Sequence, residues 1–333
     1  MKRKTTVLAT ALLLAFTMGV QAQISGLAED LQIIFDQLGE DVVPNLQTAS
    51  VMNHELGSAE LGDFPRMYVS FSAGGTVAPG VLEFTQDENS YDWNNFYLLD
   101  QLLTEASLND DEIRDITDNY APYPSLRVGY GVGLVNGYEI SLQAGVVPQA
   151  VADLAGQEAL TASLTTIGTR LRKVLVRQDR GVPAISAGIG YVYSNIDFGY
   201  DLTDLDPLEL AEGGDPLQLQ GNAVFATTTH SFGFDVRASS RFIRVMYPFL
   251  GFSAYYQRSD YEAGIKNFGG QIGTADPTQP AVQPFTSQDF DAFNVVLNSG
   301  FDIKLSVINL FTHINYALGT RAPGAIVGLR VQI

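Results

Sequence analysis

The stretch Tyr138-Glu139-Ile140-Ser141-Leu142-Gln143-Ala144-Gly145-Val146 separates by parity. Tyr138, Ile140, Leu142, Ala144 and Val146 fall on one face of an extended chain, and Glu139, Ser141, Gln143 and Gly145 on the other. Successive side chains of a strand point to opposite sides, so such a segment keeps one face in an apolar medium and the other in a polar one. The preceding segment repeats the pattern, with Leu126, Val128, Tyr130, Val132 and Leu134 against Ser125, Arg127, Gly129, Gly131 and Gly133. Asn136-Gly137 joins the two. Both residue types tolerate positive φ, which makes this the strongest short signal for a tight hairpin. The alternation returns at Phe232, Phe234, Val236 and Ala238, at Phe293, Val295, Leu297, Ser299 and Phe301, and at Ala325, Val327, Leu329, Val331 and Ile333.

Carried along the chain from Arg66, this reading predicts strands near 66–77, 124–134, 137–147, 159–177, 183–196, 218–238, 245–257, 290–302, 307–319 and 324–333. Residues 160–176 also carry an apolar spacing that suits a helix. Connections are short near Asn136, at 179–181, 239–244 and 304–306, and long at 78–123, 148–158, 197–217 and 258–289; 320–323 is a short exception. Short turns at one end and long loops at the other are the layout of a transmembrane barrel, and an even strand count returns both termini to the short-turn side. A soluble β-sandwich also produces short alternating strands. Three features speak against it. The weaker face is Gly, Ser, Asn and Gln with paired charges; Tyr138, Tyr191, Tyr193, Tyr255 and Tyr316 recur on the other face near strand ends, where aromatic girdles belong; and acids gather in the long connections. The expected fold class is all-β: an antiparallel transmembrane β-barrel of about ten strands, up to fourteen if 78–123 or 197–230 hides hairpins, with a short N-terminal helical segment.

The residues before the strands read differently. Lys2, Arg3 and Lys4 precede an apolar stretch over 7–20, and Val20-Gln21-Ala22 supplies small residues for cleavage, which predicts an export signal over 1–22. The apolar stretch is shorter than the roughly 20 residues of a spanning helix. Within 23–65, Ser25 suits an N-cap, Leu27, Leu31, Ile34, Phe35 and Leu38 recur at helical spacing, and Gly39 sits where a C-cap belongs, predicting a short amphipathic helix. Such a stripe packs on a neighbouring core or plugs a barrel lumen. Residues 66–333 form the barrel.

Composition narrows the partners. Lys and Arg number 19 against 37 Asp and Glu, a formal charge of −18, which is the wrong sign for a protein that neutralises phosphates along a nucleic acid. The chain has no Cys, which excludes disulfides and lipid attachment through an N-terminal thioether. The expected surroundings are outer-membrane lipid and lipopolysaccharide, with the chain a monomer in the outer membrane.

Three stretches carry a family resemblance: Thr169-Arg170-Leu171-Arg172, Pro183-Ala184-Ile185-Ser186-Ala187-Gly188-Ile189-Gly190-Tyr191, and Tyr247-Pro248-Phe249-Leu250-Gly251-Phe252. With the signal, the helix and the alternating C-terminal segment, they make the chain similar to Gram-negative outer-membrane barrels. More narrowly, it resembles the uncharacterised spirochaete-type proteins grouped with the long-chain fatty-acid transporter family. That resemblance implies porin-like, passive passage of small apolar compounds through a barrel closed by an N-terminal hatch, here 23–65. The family has fourteen strands, more than the ten read here. The alternative is a structural or surface-interaction barrel with a sealed, charge-paired lumen and acidic extracellular loops.

The inventory for catalysis is thin. His54, His230 and His313 are the only histidines, and no nucleophile elbow, zinc-binding His-Glu-x-x-His or phosphate loop is present. No enzyme activity, catalytic residue, metal or cofactor is expected. The acids Asp201, Asp204, Asp206, Glu209, Glu212 and Asp215 lack calcium-loop spacing and read as a solvated loop. On the polar face, Arg127, Glu139, Arg170, Arg172, Asp235, Arg237, Asp302 and Arg330 are predicted to point into the lumen, because on the lipid face each charge costs roughly 2–4 kcal/mol at mid-membrane. In loop 78–123, Trp93, Phe96, Tyr97, Leu98, Leu99, Leu102 and Leu103 form an apolar cluster suited to capturing an apolar ligand or to folding onto the barrel mouth.

Overall fold

A computed structural model describes residues 2–52, 54, 57–59, 66–79, 120–147, 160–179, 181–209, 216–272, 279–280 and 282–332. One long helix, α1 (Lys2–Met52), precedes the strands β1 (Met67–Pro79), β2 (Tyr120–Gly133), β3 (Tyr138–Val147), β4 (Leu160–Val176), β5 (Ala184–Asp201), the two-residue β6 (Leu208–Glu209), β7 (Pro216–Ser239), β8 (Met246–Ile272), β9 (Phe285–Leu305), β10 (Ile308–Ala317) and β11 (Pro323–Gln332). Every wall strand pairs antiparallel with its neighbour, β5 pairs directly with β7, and β1 closes the ring on β11. The fold is a closed ten-stranded antiparallel barrel, with β6 a small addition to the edge of β7. Closure removes the sheet edges and satisfies the backbone hydrogen bonds within the wall.

Asn136 and Gly137 both adopt positive φ, 61° and 74°, and Leu134 N–H donates to the Tyr138 carbonyl at 2.7 Å, closing the β2–β3 hairpin. Residues 160–176, whose spacing also suits a helix, are the strand β4. Pairing on both sides decides this, because each flanking strand offers a complete ladder.

Several strands run farther than their sequence pattern predicts, most of all beside the expected loops 197–217 and 258–289. β5 continues to Asp201, β7 starts at Pro216, β8 reaches Ile272 and β9 starts at Phe285, so much of the expected loops 197–217 and 258–289 is sheet. The reason is an exchange of faces. Along β8 the outward residues Leu250, Phe252 and Tyr256 give way to Arg258, Asp260 and Glu262, while the inward ones become Tyr261, Ala263 and Ile265. Beyond Ser259 the wall is polar outside and apolar inside, like a water-soluble sheet covering a core. A pattern search for a barrel wall therefore stops where the polarity reverses.

Below that level the outer surface is apolar and exposed: Leu126, Val128, Ile140, Leu142, Ile189, Phe232, Phe234, Phe293, Leu297 and Leu310 all face out. From Phe293 to Leu305 the outward belt, at about 3.4 Å per residue and a tilt near 45°, is roughly 29 Å tall. Tyr255 does not belong to a girdle. It is 6% exposed and points inward, packed with Val51 and Met52 of α1, because its parity on β8 is that of Ser253 and Gln257.

The interior is occupied by α1. The expected helix ending at Gly39 is instead continuous through Gly39 and Pro44 to Met52. Gly39 is a point of close approach and not a cap: a Cβ there would lie 2.6 Å from Tyr261 Cε1 and 3.2 Å from Phe290 Cζ. Past it, Val42, Val43 and Leu46 are buried against the wall, and this burial carries the helix onward. Gly39→Ala tests the contact. Alanine gains about 1 kcal/mol in helix propensity, whereas overpacking costs about 1–3 kcal/mol. Tyr261 cannot easily yield, because its hydroxyl donates to the Phe35 carbonyl at 2.8 Å. The clash is expected to win, and faster proteolysis of α1 in the otherwise intact barrel is the readout.

Candidate functional site

Strand alternation builds the wall of the lumen, and its inner face is polar where the outer face is apolar. Ser125, Ser141, Gln143, Ser186, Thr229, Ser231, Ser253, Gln257, Asn294, Asn298 and Asn315 are all buried within the barrel. α1 runs down this lumen with a defined polarity. Its Ile24 end lies against Gly270 near the far end of β8, and Phe35 accepts from Tyr261. Gln47 donates to Ser259 Oγ at 2.9 Å and to the Phe290 carbonyl at 3.1 Å, while Met52 accepts from Asn315. The Ile24 end therefore sits at the long-loop mouth. Both barrel termini lie on the short-turn side, with Tyr68 paired to Gln332, but the segment before β1 crosses to the opposite mouth.

At the long-loop mouth the contact is apolar. Ile24, Leu27, Ala28, Leu31 and Ile34 form one cluster with Leu202, Leu205, Leu208, Leu217, Leu219, Ile265 and Phe268. Three of these leucines come from the connection read as a solvated acidic loop. It folds as a short 3-10 turn, Leu202–Asp204, in which Asp201 accepts from Thr203 N–H at 3.0 Å, and its apolar side covers the helix. Glu212 and Asp215 lie outside the described residues, as do Trp93, Phe96, Tyr97, Leu98, Leu99, Leu102 and Leu103 of the expected capture loop.

Deeper in, the contact is polar. Gln257 Nε2 donates to the Gln47 carbonyl at 2.7 Å and to Ser231 Oγ at 2.9 Å. His54, beyond the helix end, rests on Gly168, where a Cβ would fall 2.0 Å from His54 Cε1; it lines a small cavity with Gln143, Thr169, Arg170 and Tyr255. Only glycine at 168 leaves room for that ring.

Toward the short-turn end lie the charges. Asp235 takes Arg170 Nε at 2.9 Å and pairs with Arg237 as well; Glu139 takes Arg172 Nη2 at 3.0 Å; Asp302 lies 3.8 Å from Arg330. These side chains are buried inside the barrel, Arg127 at 7% exposure among them. They also hold the chain that follows α1. Arg237 donates to the Gly57 carbonyl and Arg172 to the Ser58 carbonyl, each at 3.1 Å. Ser58 N–H donates to Asp302 at 2.9 Å, Ala59 N–H to Ser239 Oγ at 3.0 Å, and Arg127 Nη2 to the Ser50 carbonyl at 3.4 Å. Buried charges cost least when paired and fully hydrogen-bonded, and backbone carbonyls supply the extra acceptors.

The histidines are scattered. His230 is on the outer wall, its Nδ1 2.7 Å from the Tyr191 hydroxyl. His313 is enclosed between Phe249 and Phe311, 3.9 Å from Asp302, beyond hydrogen-bond reach. Among the described residues no cluster of His, Asp and Glu gathers closely enough to hold a metal ion. The residues that sequence reasoning passed over are Gln47, Ser50, Gly57, Ser58, Gln257 and Asn315. For Gln257 and Asn315 a signal existed, an amide at an inward position, but its partner on α1 was not readable.

No protein-family model and no curated protein matches the sequence. Among solved structures the chain is similar to the translocator domain of the autotransporter NalP from Neisseria meningitidis, at 8% identity over 89% of this chain and 96% of that one, with a TM-score of 0.35. It is similar to the β-domain of the Bordetella autotransporter BrkA at 11% identity, covering 80% and 98%, with a TM-score of 0.36. A Pseudomonas aeruginosa FadL homologue matches at 8% identity, covering 81% and 90%, with a TM-score of 0.26.

Proposed function

We propose that the protein is exported by its N-terminal signal to the outer membrane, where it passes small compounds through a lumen closed by residues 24–52 of α1 and the segment 57–59. The belt of exposed apolar side chains around the wall supports the membrane setting. It is of the right height for a hydrocarbon layer and ends where Arg258, Asp289 and Asp291 begin to face out.

The observation that carries passage is the nature of the contact inside the belt. There the plug meets the wall largely through hydrogen bonds between amides, hydroxyls and carbonyls, and the wall it covers is polar. Such a wall hydrates when the helix leaves, so removing the plug uncovers a water-filled path at modest cost. A purely structural barrel has no need of that and is more simply filled by apolar side chains from the wall itself. The resemblance to the fatty-acid transporter group supports an N-terminal hatch. The polar wall favours hydrophilic solutes over the apolar ones that the same resemblance implies, and the largest apolar cluster lies at the mouth around Ile24 and Leu205, with smaller ones deeper along the helix.

A sealed structural barrel is the second reading, favoured by the ion pairs Asp235–Arg170 and Glu139–Arg172 that tie nearby strands together on the inner wall. Single-channel recording in planar bilayers separates the two. The intact protein is expected to be silent or to flicker, and a variant lacking 24–65 to show large, steady conductance steps. A folded variant that stays silent would sink the transport reading.

A further inference from the structure

We infer that the solutes admitted by this lumen are small anions, an inference that rests on the plugged-passage reading. Inside the belt, the wall presents the guanidinium groups of Arg127, Arg170, Arg172, Arg237 and Arg330 against the carboxylates of Glu139, Asp235 and Asp302. The described wall thus carries two more cationic than anionic side chains, opposite in sign to the chain as a whole at −18.

The pairing shows where the excess lies. Asp235 is shared by Arg170 and Arg237, Glu139 serves Arg172, and Asp302 faces Arg330. Arg127 is buried with its Nε lacking a hydrogen-bond partner, its Nη2 reaching the Ser50 carbonyl at 3.4 Å. In the closed state the surplus is offset by backbone. The carbonyl of Ser50, in the last turn of α1 where the helix gathers its partial negative charge, accepts from Arg127, and those of Gly57 and Ser58, beyond the helix, accept from Arg237 and Arg172.

The plug therefore occupies acceptor positions that an anion can take. Once it leaves, those three arginines keep their donors directed into a narrow bore, which focuses their field. Guanidinium donates as readily to an oxyanion or halide as to a carbonyl, and more strongly because both partners are charged. The acids of α1, Glu29, Asp30, Asp36, Glu40 and Asp41, leave with the helix, and Arg258, Asp260, Glu262, Asp289 and Asp291 face outward beyond the belt. No acid of the described wall other than the three named offsets the arginines at that depth.

The test uses the full chain. Leu27→Asp with Leu31→Asp puts two carboxylates into the apolar cluster at the mouth and unseats α1 without touching an arginine; urea applied on the long-loop side of the inserted wild-type barrel unseats it by a second route. The reversal potential is then read under a potassium chloride gradient. Preference for chloride is expected by both routes, with Arg127→Gln in the same background moving the reversal potential toward zero. A cation-selective or unselective pore overturns the anion inference and leaves the plugged passage standing. Silence by both routes overturns the plugged passage, and this inference with it.

Discussion

Asp235→Asn is expected to destabilise the barrel by about 3–5 kcal/mol, the usual cost of removing one partner from a buried charged pair. Asp235 is 3% exposed and is the shared carboxylate of Arg170, at 2.9 Å, and Arg237. Asparagine keeps the shape and one acceptor but cancels the charge, leaving two guanidinium groups in the bore with no carboxylate between them. The loss is measurable as a lower urea midpoint of the protein in lipid vesicles, with insertion itself intact because position 235 faces inward. Arg237→Gln in the same chain is expected to restore part of the stability, since it removes one of the stranded charges. Full additivity of the two changes would show that the pair does not interact.

Phe234→Arg, one residue away, is expected to fail in a different manner. Phe234 is 46% exposed on the outer wall, edge-on to Phe252 at 5.9 Å and midway along the apolar belt of β7. An arginine there costs roughly 2–4 kcal/mol when it enters the hydrocarbon, before any long-range contact is lost. Less protein should reach the membrane fraction, and what refolds in detergent should retain its strand content by circular dichroism. The two neighbours thus report on opposite sides of one wall. If Phe234→Arg inserted normally while Asp235→Asn blocked insertion, the faces would be assigned the wrong way round, because a slip of one residue exchanges every side chain of a strand.

The difference between what was and was not readable follows the range of the interactions involved. The hairpin at Asn136-Gly137 was legible because two adjacent residues that accept positive φ are enough to make it. The antiparallel barrel wall was legible, its strand number only to between ten and fourteen, because period-two alternation is a local property, written into each segment whatever it pairs with. The ends of β5, β7, β8 and β9 were not, because beyond Ser259 the inward face becomes apolar only in answer to α1, and no segment of sheet announces what will cover it.

Gly39 shows the same limit in a single residue. Read along the chain, a glycine after an apolar stripe ends a helix; in the barrel it is the point where the helix passes Tyr261, and the helix continues. The leucines at 202, 205 and 208 stand among acids and read as part of a solvated loop until Ile24, Leu27 and Leu31 come up beneath them.

The sequence by itself determined a wall of about ten to fourteen strands and the parity of its faces, since alternation depends on neighbours a few residues apart. Only the tertiary structure decided what fills that wall, which way the helix runs through it, and which carbonyls its arginines hold. Those contacts join residues 50–58 to strands far along the chain, and a burial or hydrogen bond of that range exists only after the barrel has closed around the helix.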